Sequence, residues 1–330
     1  MSQQGQKRRL LPELLVVLST IAVLATVAGF VTLRVLGSAG DDGVKTIDFA
    51  DVVEAPLARA TLEDPRQILR VAVGAMSSPK ATREQYGELL QLVADGVGRR
   101  AVLVQRKTYA EINSMLEHRE VDLAFVCTAP YVLGHQKFGL EILAVPVTRG
   151  QKVYHSYILA HQESAIQSFE DLKGKVFAFT DPQSNTGCLV PKFMLHQRNE
   201  TPQSFFSDYY YTHGHDNSIR AVAEGMADGA AVDSLVWDYL TESTPDWTSR
   251  TKVIDRSPPY GSPPVVVHPE LEPELKAHLR RILLTLHKEE GAQGALRALR
   301  IDRFEVADDS AYDSVRATFH ALDDMKRDGP

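Results

Sequence analysis

Two hydrophobic periods alternate along most of the chain. A β-type run at residues 69–74 precedes helical spacing over residues 86–97, where Leu89, Leu90, Val93 and Val97 share one face. Residues 101–104 then predict a strand, 109–117 a helix and 121–127 a further strand that ends in Thr128-Ala129-Pro130-Tyr131. A strand at 142–147 leads into a second series, with strands at 154–160, 176–179, 208–212 and 229–232. Helical patterns at 166–173, 187–198, 215–224 and 234–240 separate them. A third section starts near Lys252, with short strands at 253–254 and 263–267 and helices at 273–287 and 293–299. Pro273 suits a first helical position, where its missing N–H costs nothing.

Strands alternating with helices predict parallel βαβ units with helices packed on twisted sheets. The expected architecture is α/β and two-lobed. Lobe 1 takes residues 65–150 and 255–330, and lobe 2 takes residues 151–254. Two crossings between lobes make a hinge, and the gap between them would hold a ligand. In open α/β sheets ligands lie beyond the carboxyl ends of the strands. No fixed-period repeat runs through the chain, which argues against a solenoid.

The N-terminus follows a different pattern. Lys7, Arg8 and Arg9 precede an uncharged run at residues 14–33, bounded by Glu13 and Arg34. At ~1.5 Å per residue such a run spans about 30 Å, the thickness of a hydrocarbon core. Leading positive charge predicts a cytoplasmic N-terminus and an extracytoplasmic remainder. Residues 1–36 are therefore expected to form a short head and a single-pass inner-membrane anchor, and 37–64 a tether. A cleaved signal peptide, with Thr26-Val27-Ala28 as its site, is the competing reading. The apolar run continues past that site, which favours an uncleaved anchor, and no nearby cysteine offers a lipid attachment point.

Composition narrows the class. With 330 residues, 44% hydrophobic and 24% charged, the chain has enough material for two cores. A formal net charge of −7 argues against a general nucleic-acid binder. Cys127 and Cys188 are well separated; pairing is open to an exported protein, but two small buried thiols are the more economical reading. No Cys/His cluster with zinc spacing occurs, and no cofactor or metal is expected.

The most telling segment is 181–191, reading Asp-Pro-Gln-Ser-Asn-Thr-Gly-Cys-Leu-Val-Pro. It joins the strand at 176–179 to a helix start. Ser184 and Thr186 supply hydroxyls, Gly187 leaves room for a ligand to approach the backbone, and the first N–H groups of a helix lie at its positive end. Together these make a seat for a small oxyanion, although Ser184 and Thr186 would also serve as ordinary helix caps. Ser77-Ser78 and Thr128 to Tyr131 likewise follow strands; Ser77 and Ser78 either donate to a ligand or cap the next helix. Tyr109 begins a helix and is placed at the cleft. His213 and His215 lack the further partners a metal pair needs. Asp216 and Asp233 each have a capping reading beside a ligand reading. Ser184, His215 and Asp233 are the residue types of a hydrolytic triad, but no Gly-x-Ser-x-Gly elbow, Walker loop or Gly-x-Gly-x-x-Gly fingerprint is present.

Several segments together resemble the phosphonate/phosphite/phosphate family of ABC-transporter solute-binding proteins, which has a periplasmic-binding-protein type II fold. They are Val121-Asp122-Leu123-Ala124-Phe125 with Ala129-Pro130-Tyr131, Tyr154-His155-Ser156-Tyr157-Ile158, Asp171-Leu172-Lys173-Gly174-Lys175, the 181–191 segment, His215-Asp216-Asn217-Ser218-Ile219 and Ala231-Val232-Asp233-Ser234. They occur in family order across residues 68–320. The resemblance implies that Ser184, Asn185, Thr186 and Gly187 hold an oxyanion, with Asn185 standing where the family usually has a hydroxyl. It further implies that His215 reaches the phosphoryl oxygens, that Thr128, Tyr131 and Tyr157 surround them, and that Asp233 accepts from a ligand ammonium group.

The expected protein is a monomeric binding protein that passes a small phosphorus oxyanion or organophosphonate to an ABC permease and ATPase on separate chains. Two other classes remain open: a tethered sensory module and an extracytoplasmic hydrolase.

Overall fold

The computed structural model describes Lys45 and residues 65–328. The expected head, membrane anchor and nearly all of the tether lie outside them. Among the described residues no helix is long and apolar enough to cross a membrane.

The first sheet is built from β1 (Ile68–Val73), β2 (Arg100–Val104), β3 (Leu123–Phe125), β4 (Glu141–Val147), β12 (Val265–Val267) and β13 (Arg303–Glu305), in the order β13-β4-β12-β3-β1-β2. Strand alternation sorts its two faces. Leu69, Val71 and Val73 point toward α1 (Pro79–Gly96), α8 (Pro273–Thr285) and α9 (Gln293–Ala298), meeting Leu89, Leu90, Val93, Leu279 and Leu283. Ala72 points to the other face, covered by α2 (Tyr109–Glu117), α3 (Thr128–Phe138) and α10 (Asp313–Asp328) through Ile112, Leu116, Val132 and Val315, with Tyr312 from the turn before α10.

The second sheet has the order β10-β6-β9-β7-β8, with β6 (Ser156–His161), β7 (Val176–Phe179), β8 (Asp208–Tyr211), β9 (Gly229–Asp233) and β10 (Thr251–Arg256). One face carries α6 (His215–Ala223) and α7 (Ser234–Ser243), joined through Leu159, Ile219, Val222, Val232 and Leu240. Phe177, Phe179, Phe205 and Phe206 form an aromatic group, with Phe177 stacked on Phe206 at 4.4 Å between centroids. The short helices α4 (Val190–His196) and α5 (Pro202–Phe205) lie on the chain between β7 and β8.

Both sheets are mixed, not parallel as the alternation predicted. β1 runs parallel to β2 and β3, and β7 parallel to β8 and β9. By contrast, β12 is antiparallel to β3 and β4, and β6 antiparallel to β9 and β10. Strands β6 and β12 each follow a crossing between lobes. A strand entering from that side starts where its neighbours end, and no crossover helix turns it round. The crossings themselves pair: β5 (Val153–Tyr154) and β11 (Tyr260–Gly261) form an antiparallel ribbon with Tyr154 opposite Tyr260.

Other boundaries moved. Helix α1 starts at Pro79, well before residue 86, because proline at its first position begins the helix. Only a single tight turn, Glu170–Leu172, occupies the helical pattern at 166–173. Cys127 and Cys188 are both free and buried.

Candidate ligand site between the lobes

The Ser184 turn is local chemistry first. Ser184 Oγ accepts from the Gly187 N–H at 3.0 Å, so the capping reading of this hydroxyl is realised. The Leu189 N–H reaches back five residues to the Ser184 carbonyl at 2.9 Å, opening the first turn to π width before α4 begins. Such widened turns recur at functional sites. A Cβ on Gly187 would stand 2.4 Å from Thr180 Oγ1 and 2.5 Å from Thr180 Cβ. The missing side chain therefore admits Thr180, not a ligand as the sequence suggested. Thr186 gives its carbonyl to Ser156 Oγ at 2.6 Å, while its own Oγ1 is fully buried and has no partner. The carboxamide of Asn185 donates from Nδ2 to Tyr154 Oη at 3.2 Å and leaves Oδ1 unpartnered.

His215 opens α6 beneath this turn. Its Nδ1 accepts from the Asp233 N–H at 3.0 Å and lies 3.2 Å from Thr180 Oγ1. Burial lowers its pKa to about 3, so the ring is neutral. A neutral imidazole that accepts at Nδ1 carries its proton on Nε2, and Nε2 is buried without a partner. The site thus contains an uncharged donor of fixed direction.

Three contacts join the lobes around this ring. The His215 N–H donates to the Met76 carbonyl at 3.0 Å, the Ser78 N–H donates to Asp216 Oδ2 at 2.9 Å, and the Tyr109 N–H donates to Asp181 Oδ2 at 3.2 Å. The Ser78 peptide N–H and the Asp216 carboxylate thus meet across the cleft; the Ser78 side chain does not cap its helix, while Asp216 Oδ1 also accepts from the Asn217 N–H in its own first turn at 3.0 Å. Burial raises the Asp216 pKa, while the Ser78 and Asn217 groups oppose it. Asp233 does cap α7, its Oδ1 accepting from the Leu235 N–H at 2.7 Å. Burial pushes its carboxyl up to about 7, with the Leu235 and Val236 N–H groups pulling the other way.

From lobe 1, Tyr109 brings a hydroxyl that is buried and unpartnered. Burial raises its pKa well above the usual tyrosine value, Cys127, Asp181 and Asp233 push it further, and the nearby Ser184 hydroxyl pulls back without meeting hydrogen-bond geometry. It remains a protonated donor in the midst of those groups. Tyr154 lies on the crossing ribbon, its Oη 2.6 Å from Thr128 Oγ1 and within reach of Asn185. Among the described residues, Tyr109 Oη, Thr186 Oγ1, His215 Nε2 and Asn185 Oδ1 are all buried polar atoms without partners.

Not every expected residue joins this group. Tyr131 is drawn away, its hydroxyl donating to Asp309 at 2.5 Å and its ring packing on Tyr312 at 4.8 Å. It follows a strand, but the first turn of α3 points it into the lobe 1 core. Ser77 and Tyr157 instead border an adjoining cavity of about 270 Å³, which Asp216 and Asp233 also line. Among the described residues His213 has no set of metal-ligand partners; its Nδ1 stands 3.8 Å from Asp181 Oδ2 without a hydrogen bond. Tyr154, Thr180, Ser156 and Asp181 are not among the site residues that the sequence predicts. An acidic residue directly after a strand, as at Asp181, was the one available signal.

Ser184, His215 and Asp233 do not form a hydrolytic triad. Ser184 Oγ is committed to Gly187, and the contact of His215 Nδ1 is with the Asp233 peptide N–H. A triad histidine needs the opposite polarity at Nδ1, donating to a carboxylate.

Comparison with known proteins identifies the family. The family described as ABC transporter, phosphonate, periplasmic substrate-binding protein matches residues 71–312. The phosphonates-binding periplasmic protein of Escherichia coli K12 is 24% identical over 277 residues, 82% of either chain. The phosphate-import protein PhnD of Mycolicibacterium smegmatis is 29% identical over 183 residues, 52% of this chain and 57% of its own. A binding protein of an ABC phosphonate transporter from Pseudomonas aeruginosa superposes with a TM-score of 0.73 at 23% identity, covering 76% of this chain and 85% of its own. PhnD1 of Prochlorococcus marinus, solved with methylphosphonate, gives 0.70 at 17% identity, covering 78% and 99%. At these identities the two structures establish the two-lobed fold.

Proposed function

The chain belongs to the family of phosphonate-type periplasmic substrate-binding proteins of ABC transporters, and from that membership we propose how it works. It is a solute-binding protein and not an enzyme. In this reading a membrane-anchored extracytoplasmic domain captures a phosphonate, phosphite or phosphate-like oxyanion and delivers it to a permease and ATPase on separate chains.

One observation carries the reading. Tyr109 Oη, Thr186 Oγ1 and His215 Nε2 are buried donors without partners, contributed by both lobes. Burying a hydroxyl or ring N–H without a hydrogen bond costs free energy that an anion's oxygens would return. All three are uncharged, which suits a site with Asp181, Asp216 and Asp233 around it: neutral donors strengthen an oxyanion's hold without forming an ion pair with those carboxylates. Turning the Asn185 amide by half a turn exchanges Oδ1 for Nδ2 and adds another donor. The full set exists only when the lobes meet, so a ligand binds the closed arrangement more tightly than the open one and favours closure by that difference. The paired crossings β5 and β11 are the natural pivot.

The anchor follows from residues 14–33, and the extracytoplasmic placement from the basic residues before them. The test is calorimetric titration of the full-length protein in detergent with methylphosphonate, phosphite, phosphate and methanesulfonate. A phosphorus oxyanion should bind, and replacing Tyr109 with Phe and His215 with Ala together should remove that binding while the protein stays folded. Equal affinity in the double variant would overturn the site, and binding of the sulfonate alone would overturn the ligand class.

A further inference from the structure

The geometry points to a ligand larger than methylphosphonate: an organophosphonate whose uncharged alkyl or aryl substituent fills the cavity beside the polar cluster. This rests on the oxyanion reading above and adds what lies on the far side of the phosphorus atom.

The cavity begins where the polar cluster ends. Met76, whose carbonyl accepts from His215, lines it, as does Asp233, whose N–H donates to the His215 ring. Met76 meets the His215 peptide N–H and Asp233 meets Nδ1, so these two shared residues set the cavity beside the ring that would seat the oxyanion. Its volume is about 270 Å³. An apolar protein cavity of about 150 Å³ is enough for benzene, so a single methyl group would leave most of this one unfilled.

The walls decide the chemistry. Tyr86, Phe125, Val236, Leu240, Leu299 and Ile301 line the cavity, drawn from both lobes. The charged residues that reach it already have partners. Arg149 pairs with Asp238 at 3.3 Å and with Glu242, and Arg300 also pairs with Glu242. The Arg256 guanidinium lies 5.8 Å over the Tyr157 ring. Asp216 and Asp233 accept from the peptide N–H groups of Ser78 and Leu235. A charged tail would compete with these pairs, whereas an apolar tail exchanges water for hydrocarbon walls.

Calorimetry on the full-length protein with inorganic phosphate and methyl-, butyl-, hexyl-, phenyl- and 2-aminoethylphosphonate tests this. Affinity should rise about threefold to fourfold per methylene from methyl to butyl, from the usual free energy of burying a methylene. Phenylphosphonate should bind at least tenfold more tightly than methylphosphonate. Ala81→Phe, which fills the cavity from α1, should abolish these gains and leave methylphosphonate within about twofold. Val236→Phe fills it from α7 and serves the same purpose should the first variant fail to fold. Flat or falling affinity along the alkyl series, with methylphosphonate still bound, overturns this inference and leaves the oxyanion site standing. A preference for 2-aminoethylphosphonate over butylphosphonate also overturns it, in favour of a charged tail at Asp233. If neither phosphate nor any phosphonate binds, both readings fall.

Discussion

The peptide N–H of Asp233 donates to Nδ1 of His215 across 3.0 Å. Asp233 ends β9 and His215 starts α6, so two elements of one lobe fix the imidazole's proton on Nε2. That tautomer should hold from pH 5 to 8, because burial lowers the ring's pKa to about 3. Long-range ¹⁵N–¹H correlation spectra should show Nε2 protonated and Nδ1 bare throughout that range. A titration midpoint near the ordinary value for histidine, or a proton on Nδ1, would contradict the directed-donor account. His215→Ala should weaken oxyanion binding about tenfold to a hundredfold, the range for one hydrogen bond to a charged group.

Tyr109 and Thr186 predict a trade-off between binding and stability. Their hydroxyls are buried and unpartnered, so each costs the ligand-free fold some free energy. Thr186→Val keeps the side-chain shape, and Tyr109→Phe removes a single oxygen. Each variant should resist urea as well as the natural protein or better, by up to about 1 kcal/mol, yet bind oxyanion about tenfold less tightly. Loss of stability in both would mean these hydroxyls have partners in the folded protein.

Much of the fold and part of the site are legible in the sequence. The spacing of Leu89, Leu90 and Val93 marks the core face of α1, and the alternation at 69–73 marks β1, because burial imposes those periods directly. The Ser184 turn is readable for the same reason: a strand, short hydroxyls and a helix start leave local signatures. Strand direction is not, since it depends on which side of the sheet the chain enters after β5 and β11. Nor is the divergence of the tyrosines. Tyr131 and Tyr154 both follow or occupy strand ends, but Asp309, far along the chain, claims the first, while the crossing ribbon carries the second to Asn185. Helix α10 carries the same kind of signal, Val315, Phe319 and Leu322 at helical spacing within a charged run, and is missing from the predicted elements all the same.

Gly187 is constrained by contact, not by its dihedral angles. An added Cβ would lie 2.4 Å from Thr180 Oγ1 and 2.5 Å from Thr180 Cβ, too close for either atom to remain in place. Thr180 is itself tied to His215 and to the Ala231 carbonyl, so the strain would pass to the ring. Gly187→Ala should therefore destabilise the fold by about 1–3 kcal/mol, the usual cost of overpacking. It should also weaken ligand binding beyond what lost stability explains. Chemical denaturation paired with calorimetry separates the two, and a Gly187→Ala protein of unchanged stability would refute the close approach.

The pH dependence of stability tests the buried state of Asp233. Its carboxyl is raised from 3.8 to about 7, so its contribution is fully present below pH 3.8 and is lost as pH rises through about 7. His215 works in the opposite sense. Lowered from 6.5 to about 3, it costs no stability above pH 6.5 and progressively more as pH falls toward 3. Between about pH 4 and 6.5 the two slopes nearly cancel, leaving these groups with little net effect on the natural protein. Asn at position 233 still caps α7 but cannot ionise. Asp233→Asn should therefore gain stability relative to the natural protein as pH rises from 4 to 7, by up to about 1.4 kcal/mol per pH unit, and level off above. Urea unfolding of both proteins at pH 4.5, 6 and 7.5 measures that difference. A constant offset across the three values would show that Asp233 ionises normally in the fold and would remove it from the buried cluster.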